Sequence, residues 1–433
     1  MPSIAPYAII RFCQTSRVGN SKANTAARKY RAIIVRRIRL EKSCRRIALA
    51  ILMVALVSTL AVGCTKSASV DIKLPSYKVG AVFAVTGNNS SLGTPEKQTV
   101  EMMVDQINSK GGINGHKLEV VIYDTKSDTN ECTTLVKKLV EQDNVLAVIG
   151  PSSSGESLAL VDYMNKQQTP LVSAAANIGI VTPVADRKWI FKTPQSDVLA
   201  AQEIAAYLTK LNVKKLALLV DASGFGQGGR TVLMAELPKA GFTIVADEKY
   251  GVTDPDMTVQ LTKIKGTDAQ AIVVWGTPPG PAIVAKNAKE LKITLPLINS
   301  HGIANKSFID LAGEAANGVV FPAGKLLIVD QLAKDDPQKT VLEQYKKDFE
   351  TKYGAGTANT FGGHAYDALT IVVNALKAVG ADKANIRDYI ENNVKNMPGT
   401  GGMFTMSAQD HNGLTKGAFV MIKIVDGKWT WLK

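Results

Sequence analysis

The chain has 433 residues, with 51 Lys and Arg against 38 Asp and Glu, and a formal net charge of +13. The first 63 residues hold 12 of the basic residues and one of the acidic residues, so the remainder carries 39 against 37, or +2. Because nucleic-acid binding requires Lys and Arg gathered on one face or strip, this near-neutral remainder excludes nucleic acid as an expected partner.

The N-terminal region has the pattern of an export signal. A basic stretch ending at Arg45 and Arg46 precedes an apolar run over residues 47–63, and Cys64 follows. Cations stay on the cytoplasmic side while a short apolar helix enters the bilayer. We therefore predict that residues 1–63 form a basic leader with a lipoprotein-type signal peptide, and that lipid on Cys64 anchors the protein to the membrane.

Two alternatives stay open at this point, namely a plain signal peptide and an uncleaved membrane anchor. The run before Cys64 resembles a bacterial lipobox, although Leu60 stands one place earlier than usual. Residues 64–76 are polar and short of aromatics, which predicts a tether. In each case the rest of the chain faces outside the cytoplasm.

Cysteine and histidine usage argues against disulfides and metal sites. Of the four cysteines, only Cys132 lies beyond Cys64, so no intramolecular disulfide is expected there. The four histidines are scattered, with none within helical reach of another His or Cys. No metal and no cofactor are predicted.

Beyond residue 76 the sequence alternates between short apolar runs and helical stretches. Strands are predicted at 79–85, 117–123, 146–149, 171–173 and 189–192, with helices at 95–109, 131–141 and 155–166. A second series has strands at 216–220, 243–250, 271–274 and 297–298, with helices at 197–211, 228–240, 257–264, 281–291 and 306–312. Helices at 338–353 and 364–379 and a hairpin at 418–431 follow. This alternation predicts parallel sheets with crossover helices, and the length predicts two α/β lobes.

Three segments occur in the order seen in one family: GGINGHKLEVVIYD at 111–124, VLAVIGPSSSG at 145–155 and TPLVSAAAN at 169–177, with FGGHAYDAL at 361–369 further on. From about Tyr77 to the C-terminus the chain resembles type I periplasmic binding proteins of the leucine/isoleucine/valine-binding branch, which serve ABC transporters. The resemblance implies two doubly wound parallel-sheet lobes joined by a three-crossover hinge. It places lobe 1 at 77–193 plus 322–399 and lobe 2 at 194–321 plus 400–433.

The turn at 150–155 lies where a predicted strand becomes a helix. The hydroxyl of Ser154 and the neighbouring amides are candidates to receive a ligand carboxylate, which the helix dipole favours. Alternatively, the three serines at 152–154 serve only as a helix cap. The resemblance implies that Ser154, Ala175, Ala176 and Asn177 bind the carboxylate and ammonium of an amino acid.

In the second lobe the resemblance assigns ligand contacts to Phe225, to Thr277 or Pro278, and to His301. Leu92 stands where the branched-chain binders can present an aromatic. At His301 this sequence has no carboxylate to pair with a desolvated ammonium. The predicted ligand is therefore a branched-chain or other hydrophobic amino acid, or alternatively an aromatic or other ammonium-free acid. His301 as a bystander in its loop is the third possibility.

The segment at 224–229 formally matches GxGxxG, and Asp247 or Glu248 follows at a suitable distance for a dinucleotide site. Three residues separate the predicted strand from the first glycine, and an exported protein rarely meets NAD, so an NAD-dependent enzyme is the least favoured function. GPSSSG also fails the GxSxG pattern of serine hydrolases. The sequence predicts a non-catalytic binding protein that delivers its ligand to an ABC permease, with a ligand-sensing receptor subunit as the rival from another class.

Overall fold

The computed structural model describes residues 74–433. The predicted leader, Cys64 and residues 64–73 of the predicted tether lie outside the described residues. The described part consists of two α/β lobes, each built on a mainly parallel sheet, in agreement with the predicted fold class. Over residues 74–433, no helix combines the length and apolar character needed to cross a bilayer.

The first lobe is built on a five-stranded parallel sheet with the order β2-β1-β3-β4-β5. Both faces of β1 are buried, as expected when crossover helices cover a parallel sheet. The strand order reverses between β1 and β3, which makes the carboxyl ends of these strands a natural ligand crevice. The strands are β1 (Tyr77–Phe83), β2 (Leu118–Asp124), β3 (Val148–Ile149), β4 (Leu171–Ser173) and β5 (Ile190–Lys192), and the helices between them are α1 (Ser90–Ser109), α2 (Thr129–Glu141) and α3 (Ser154–Gln167).

The second lobe repeats this winding. Its parallel strands have the order β7-β6-β8-β9-β10, and β13 and β14 extend the sheet in antiparallel fashion. The strands are β6 (Lys215–Asp221), β7 (Thr243–Tyr250), β8 (Ala271–Trp275), β9 (Leu297–Asn299), β10 (Val320–Ala323), β13 (Val420–Val425) and β14 (Lys428–Trp431). The helices are α4 (Asp197–Lys210), α5 (Gly224–Lys239), α6 (Thr258–Lys265), α7 (Gly280–Glu290) and α8 (Lys306–Ala312).

Three further helices follow β10: α9 (Lys339–Tyr353), α10 (Thr360–Val379) and α11 (Lys383–Asn393). They return to the first lobe, where the hydroxyls of Tyr345 on α9 and Thr99 on α1 are 3.0 Å apart. A small hairpin of β11 (Met397–Pro398) and β12 (Met403–Phe404) precedes the last passage to β13. The chain thus passes between the sheets after β5, after β10 and after β12. The exact lobe boundaries drawn from the resemblance stay a prediction.

Helix α1 begins at Ser90, five residues before the predicted start at Pro95. The prediction placed proline at the first helical position, where its missing N–H costs nothing. In the structure the helix continues through Pro95, and the carbonyl of Ser91, four residues earlier, receives no helical amide from position 95. That carbonyl instead accepts a hydrogen bond of 2.6 Å from Nδ2 of Asn305 in the second lobe.

The strand β10, the helix α11 and the hairpin of β11 and β12 were not predicted. Pro322 lies inside β10, and a proline within an apolar run argues against a strand from sequence alone. The strand forms because its neighbours β9 and β13 both pair with it. Tertiary pairing therefore decides this element.

Candidate functional site

A cavity of about 320 Å³ lies between the two lobes. Its walls come from the carboxyl ends of strands in both sheets, together with the starts of α1 and α10. This is where ligands bind in doubly wound α/β folds. The sequence-predicted residues that line it are Leu92, Ser154, Ala175, Ala176, Phe225, Thr277, Pro278 and His301.

The three consecutive serines before α3 have three different roles. Ser153 is the N-cap, because its hydroxyl accepts the amide of Glu156 while the Glu156 carboxylate accepts the Ser153 amide. The hydroxyl of Ser152 donates to Glu96 and accepts the amide of Ala84 at 3.0 Å. Capping thus accounts for Ser153, and a buried structural contact accounts for Ser152.

Ser154 remains available to a ligand. Its oxygen accepts the amide of Asn177 at 3.3 Å, and no acceptor for its O–H proton exists among the described residues. The amides of Ser154 and Gly155, in the first turn of α3, have no intrahelical partner by geometry. The amide of Ala176 likewise has no partner in the described part of the chain. These donors surround one side of the cavity and suit an anion.

The start of α5 approaches the same place from the second lobe. Ser223 caps this helix by accepting the amides of Phe225 and Gly226 at 3.2 and 3.1 Å. Gly224 lies so close to α3 that a Cβ added there would be 2.8 Å from the amide nitrogen of Gly155. Two helix N-termini therefore meet at the cavity, and their partial positive charges both favour a bound carboxylate.

Asn177 does not line the cavity, although the resemblance assigned it to the ligand site. Its Nδ2 donates to the carbonyl of Gly224 at 3.0 Å, and its Oδ1 accepts the amide of Gly179 at 2.7 Å. A Cβ at Gly228 would lie 2.0 Å from the same Nδ2. In the structure, the side chain of Asn177 joins the two lobes beside the cavity, and a direct ligand contact stays a prediction.

His301 opens a short 3₁₀ turn after β9 and lies in an aromatic surround. Its ring centroid is 5.2 Å from that of Phe225, 5.7 Å from Trp275 and 5.2 Å from Phe419. Burial, together with the nearby Lys192 and His364, lowers the pKa of His301 to about 3. The imidazole is therefore neutral at physiological pH, which fits a hydrogen-bonding role better than that of a charged partner.

Three titratable residues of the described cavity wall were not predicted, namely Asp221, Tyr250 and His364. Asp221 is the only carboxylate among the described lining residues; burial raises its pKa, and its oxygens accept bonds from Ser223 and from the amide of Thr277 at 3.4 Å. The position of Asp221 at the end of a buried strand could have identified it from the sequence as a candidate site residue. His364 comes from α10, whose placement only the tertiary structure gives.

The glycines at 224–229 occupy the first turns of α5 and not a phosphate-binding loop. A Cβ at Gly226 would lie 2.1 Å from the carbonyl oxygen of Asp221, and one at Gly229 would lie 2.2 Å from Nε1 of Trp275. Close packing therefore explains these glycines without a dinucleotide. Within residues 74–433, no group of three His, Cys, Asp or Glu side chains could hold a metal ion, and Cys132 is a buried free thiol.

The fold and the site define a two-lobed binding protein that encloses a small ligand between its lobes. Residues 76–428 match the periplasmic binding protein family. The chain belongs to this family, as a type I member of the leucine/isoleucine/valine-binding branch. The relatives are substrate-binding proteins of transporters and not enzymes, and membership implies an exported protein.

Among curated proteins, the leucine-, isoleucine-, valine-, threonine- and alanine-binding protein of Pseudomonas aeruginosa is 24% identical over 334 residues, covering 76% of this chain and 86% of the relative. The Leu/Ile/Val-binding protein of Escherichia coli is 25% identical over 288 residues, covering 66% and 77%. Among solved structures, LivJ of Streptococcus pneumoniae in complex with isoleucine is 29% identical, with a TM-score of 0.72 over 82% of this chain and 97% of that chain. An extracellular ligand-binding receptor from Rhodopseudomonas palustris is 27% identical, with a TM-score of 0.77 over 82% and 99%.

Proposed function

We propose that this protein is the extracytoplasmic substrate-binding component of an ABC importer of the hydrophobic amino-acid type. It captures a small carboxylate with an apolar body, closes its lobes over it and presents the closed form to the permease. The cavity volume, about 320 Å³, suits a ligand of this size. We also propose that lipid on Cys64 holds the protein at the membrane.

The convergence of two helix N-termini on one cavity is the observation that carries this proposal. Ser154 supplies a hydroxyl, Ala176 supplies an unpaired amide, and Gly224 brings the start of α5 against α3. The donors of the first lobe and the positive end of α5 from the second lobe act on the same carboxylate only when the lobes are together. Anion binding and lobe closure are thereby coupled.

We expect Ser154→Ala to weaken binding of the cognate carboxylate by about 10- to 100-fold, because a hydrogen bond to a charged group contributes about 1.5–3 kcal/mol. A thermal-shift screen of leucine, isoleucine, valine, phenylalanine and benzoate identifies a ligand, and calorimetry then gives its affinity. Ser109→Ala, at an exposed position at the end of α1, is the matched control and leaves the affinity unchanged. An unaltered affinity in Ser154→Ala would mean that the carboxylate binds elsewhere.

An ammonium-free acid is a second candidate ligand, and the neutral His301 favours it. Asp221 is the only carboxylate among the described lining residues, and burial raises its pKa, so the counter-charge for a desolvated ammonium is weakened. The relatives named for leucine, isoleucine and valine support an amino acid instead.

The variant His301→Glu separates these two candidates. It restores an acid at this position, so the ratio of leucine affinity to 4-methylpentanoate affinity rises in calorimetric titrations. The two probes share a carbon skeleton and differ in the ammonium group. If this ratio stays constant, His301 does not face the part of the ligand that carries the ammonium.

A further inference from the structure

The cavity between the lobes is lined by two imidazole side chains, one from each lobe. His364, on α10, is 5% exposed, and His301, after β9 in the second lobe, is 7% exposed. Both line the cavity. Because α10 and β9 belong to different lobes, closure brings these side chains to one enclosed space.

Both imidazoles lack hydrogen-bond partners. The two ring nitrogens of His301 and Nδ1 of His364 are shielded from solvent, and residues 74–433 offer none of them a partner. His301 is packed against aromatic rings, and the ring of His364 lies 6.4 Å from that of Phe361. Buried polar atoms in native proteins almost always have a partner, so three unsatisfied nitrogens at one cavity point to a group that enters with the ligand.

The charge state of the side chains around His301 and His364 determines which kind of ligand group can bind between them. Burial, together with the nearby Lys192, lowers the pKa of both imidazoles to about 3. Each ring is thus neutral and offers one N–H donor and one acceptor nitrogen. Lys192 is itself fully buried, and its Nζ donates to the carbonyl of Pro194 at 2.5 Å. Burial lowers the pKa of Lys192 to about 7, although the nearby Asp197 and Asp410 act to raise it. The neutral imidazoles give a ligand ammonium no counter-charge, and the only carboxylate among the described lining residues is Asp221, whose pKa burial raises.

A neutral oxygen function satisfies the imidazoles without a charge. A hydroxyl accepts N–H from one ring and donates to the nitrogen of the other, whereas a carbonyl oxygen accepts N–H from both. The carboxylate of the same ligand occupies the donors around Ser154. We propose that His301 and His364 together bind a hydroxyl or carbonyl oxygen of the ligand, so that the substrate class is hydroxy- or oxo-carboxylic acids. This inference rests on the proposed function, because it takes the carboxylate site as given.

The test uses ligands that share a skeleton. Calorimetry on the purified protein compares 4-methylpentanoate, its 2-hydroxy and 2-oxo derivatives and leucine, and in parallel compares benzoate with its 3- and 4-hydroxy derivatives. We expect an oxygenated acid to bind about tenfold or more tightly than its parent acid, because the parent leaves the imidazole nitrogens unpaired. The hydroxy and oxo members of the first series distinguish a hydroxyl from a carbonyl.

Two variants of His364 test whether its imidazole ring causes the preference for oxygenated acids. His364→Phe keeps an aromatic ring without nitrogens, and we expect it to remove the preference for the oxygenated acid over its parent acid. His364→Gln retains a donor and an acceptor and restores part of the preference. A thermal melt of each variant reports whether it is folded.

Equal affinity for oxygenated and parent acids, or a preference that survives in His364→Phe, overturns this inference. Carboxylate binding that still depends on Ser154 leaves the proposed function intact in that case. If none of these acids binds, both proposals fail.

Discussion

Burial at the ligand cavity changes the chemistry of individual side chains. His301 and His364 have pKa values lowered to about 3, from an ordinary value of 6.5, mainly because burial removes water from the charged form. The same residues in a solvated loop would titrate near neutral pH. The enclosed position, and not the residue type, therefore fixes their protonation state.

This burial predicts a pH dependence of stability. An imidazole whose folded pKa lies below its unfolded value contributes stability that is fully present above pH 6.5 and is lost as the pH falls towards 3. Each histidine adds a slope of up to about 1.4 kcal/mol per pH unit in that window. The double variant His301→Phe, His364→Phe should therefore show a shallower decline of unfolding free energy between pH 6.5 and pH 4.

Urea unfolding at several pH values measures this decline, and each single variant should fall between the wild type and the double variant. Carboxylates that titrate in the same window are common to all four proteins, so they cancel in the comparison. A double variant with the slope of the wild type would show that these imidazoles are protonated inside the folded protein.

At the level of secondary structure, the first turns of helices supply the contacts that shape the cleft between the lobes. Helix α3 begins five residues after the end of β3 and α5 begins three residues after the end of β6; Ser153 and Ser223 cap them. Pro95 within α1 leaves the Ser91 carbonyl to accept Asn305 from the other lobe. Thus a helix cap and a helical irregularity both contribute to contacts across the cleft.

Gly224 provides a test of how closely α3 and α5 meet in the ligand-bound state. In Gly224→Ala the new Cβ would lie 2.8 Å from the nitrogen and 2.9 Å from the Cα of Gly155. Because backbone atoms cannot rotate away, the lobes stay further apart and we expect ligand affinity to fall by about tenfold or more. Calorimetry measures the affinity, and small-angle scattering with and without ligand measures the closure.

Gly266→Ala is a matched control, because its Cβ would be 3.4 Å from its nearest neighbour, the Lys263 carbonyl oxygen, away from the cleft. It should bind and close as the wild type does. If Gly224→Ala also binds and closes normally, the two helices do not touch in the liganded protein.

At the scale of the whole molecule, the proposed site of lipid attachment lies outside the two binding lobes in the sequence. The lobes occupy residues beyond 76, and Cys64 precedes them by a short polar segment. Expression of the full chain with Cys64→Ser should shift the protein from the membrane fraction to the soluble exported fraction, because one residue would carry the lipid. Ligand affinity should not change.

Fractionation followed by immunoblotting, with mass spectrometry of the mature N-terminus, checks this expectation. Cys132→Ser serves as the control, since this thiol lies buried within the first lobe. Membrane association that persists in Cys64→Ser would identify an uncleaved anchor or another attachment.

Local patterns in the sequence determined most of the fold. Alternating apolar runs and helical stretches predicted the strands β4 and β7 and the helix α8 with their observed bounds. The turn before α3 also indicated Ser154 as a candidate, because parallel strands present their carboxyl ends at one edge, whereas Ala176 came from the family resemblance. These features depend on neighbours within about twenty residues along the chain.

Contacts between segments that are distant in the sequence were decided only by the tertiary structure. It brought His364 to the cavity from a helix 63 residues after His301, turned the side chain of Asn177 towards Gly224, and paired the proline-containing strand β10 with β13. Each of these contacts joins segments distant in sequence, and no local periodicity encodes them. The chain's own pattern specifies the lobes, whereas the ligand site forms where the packed lobes meet.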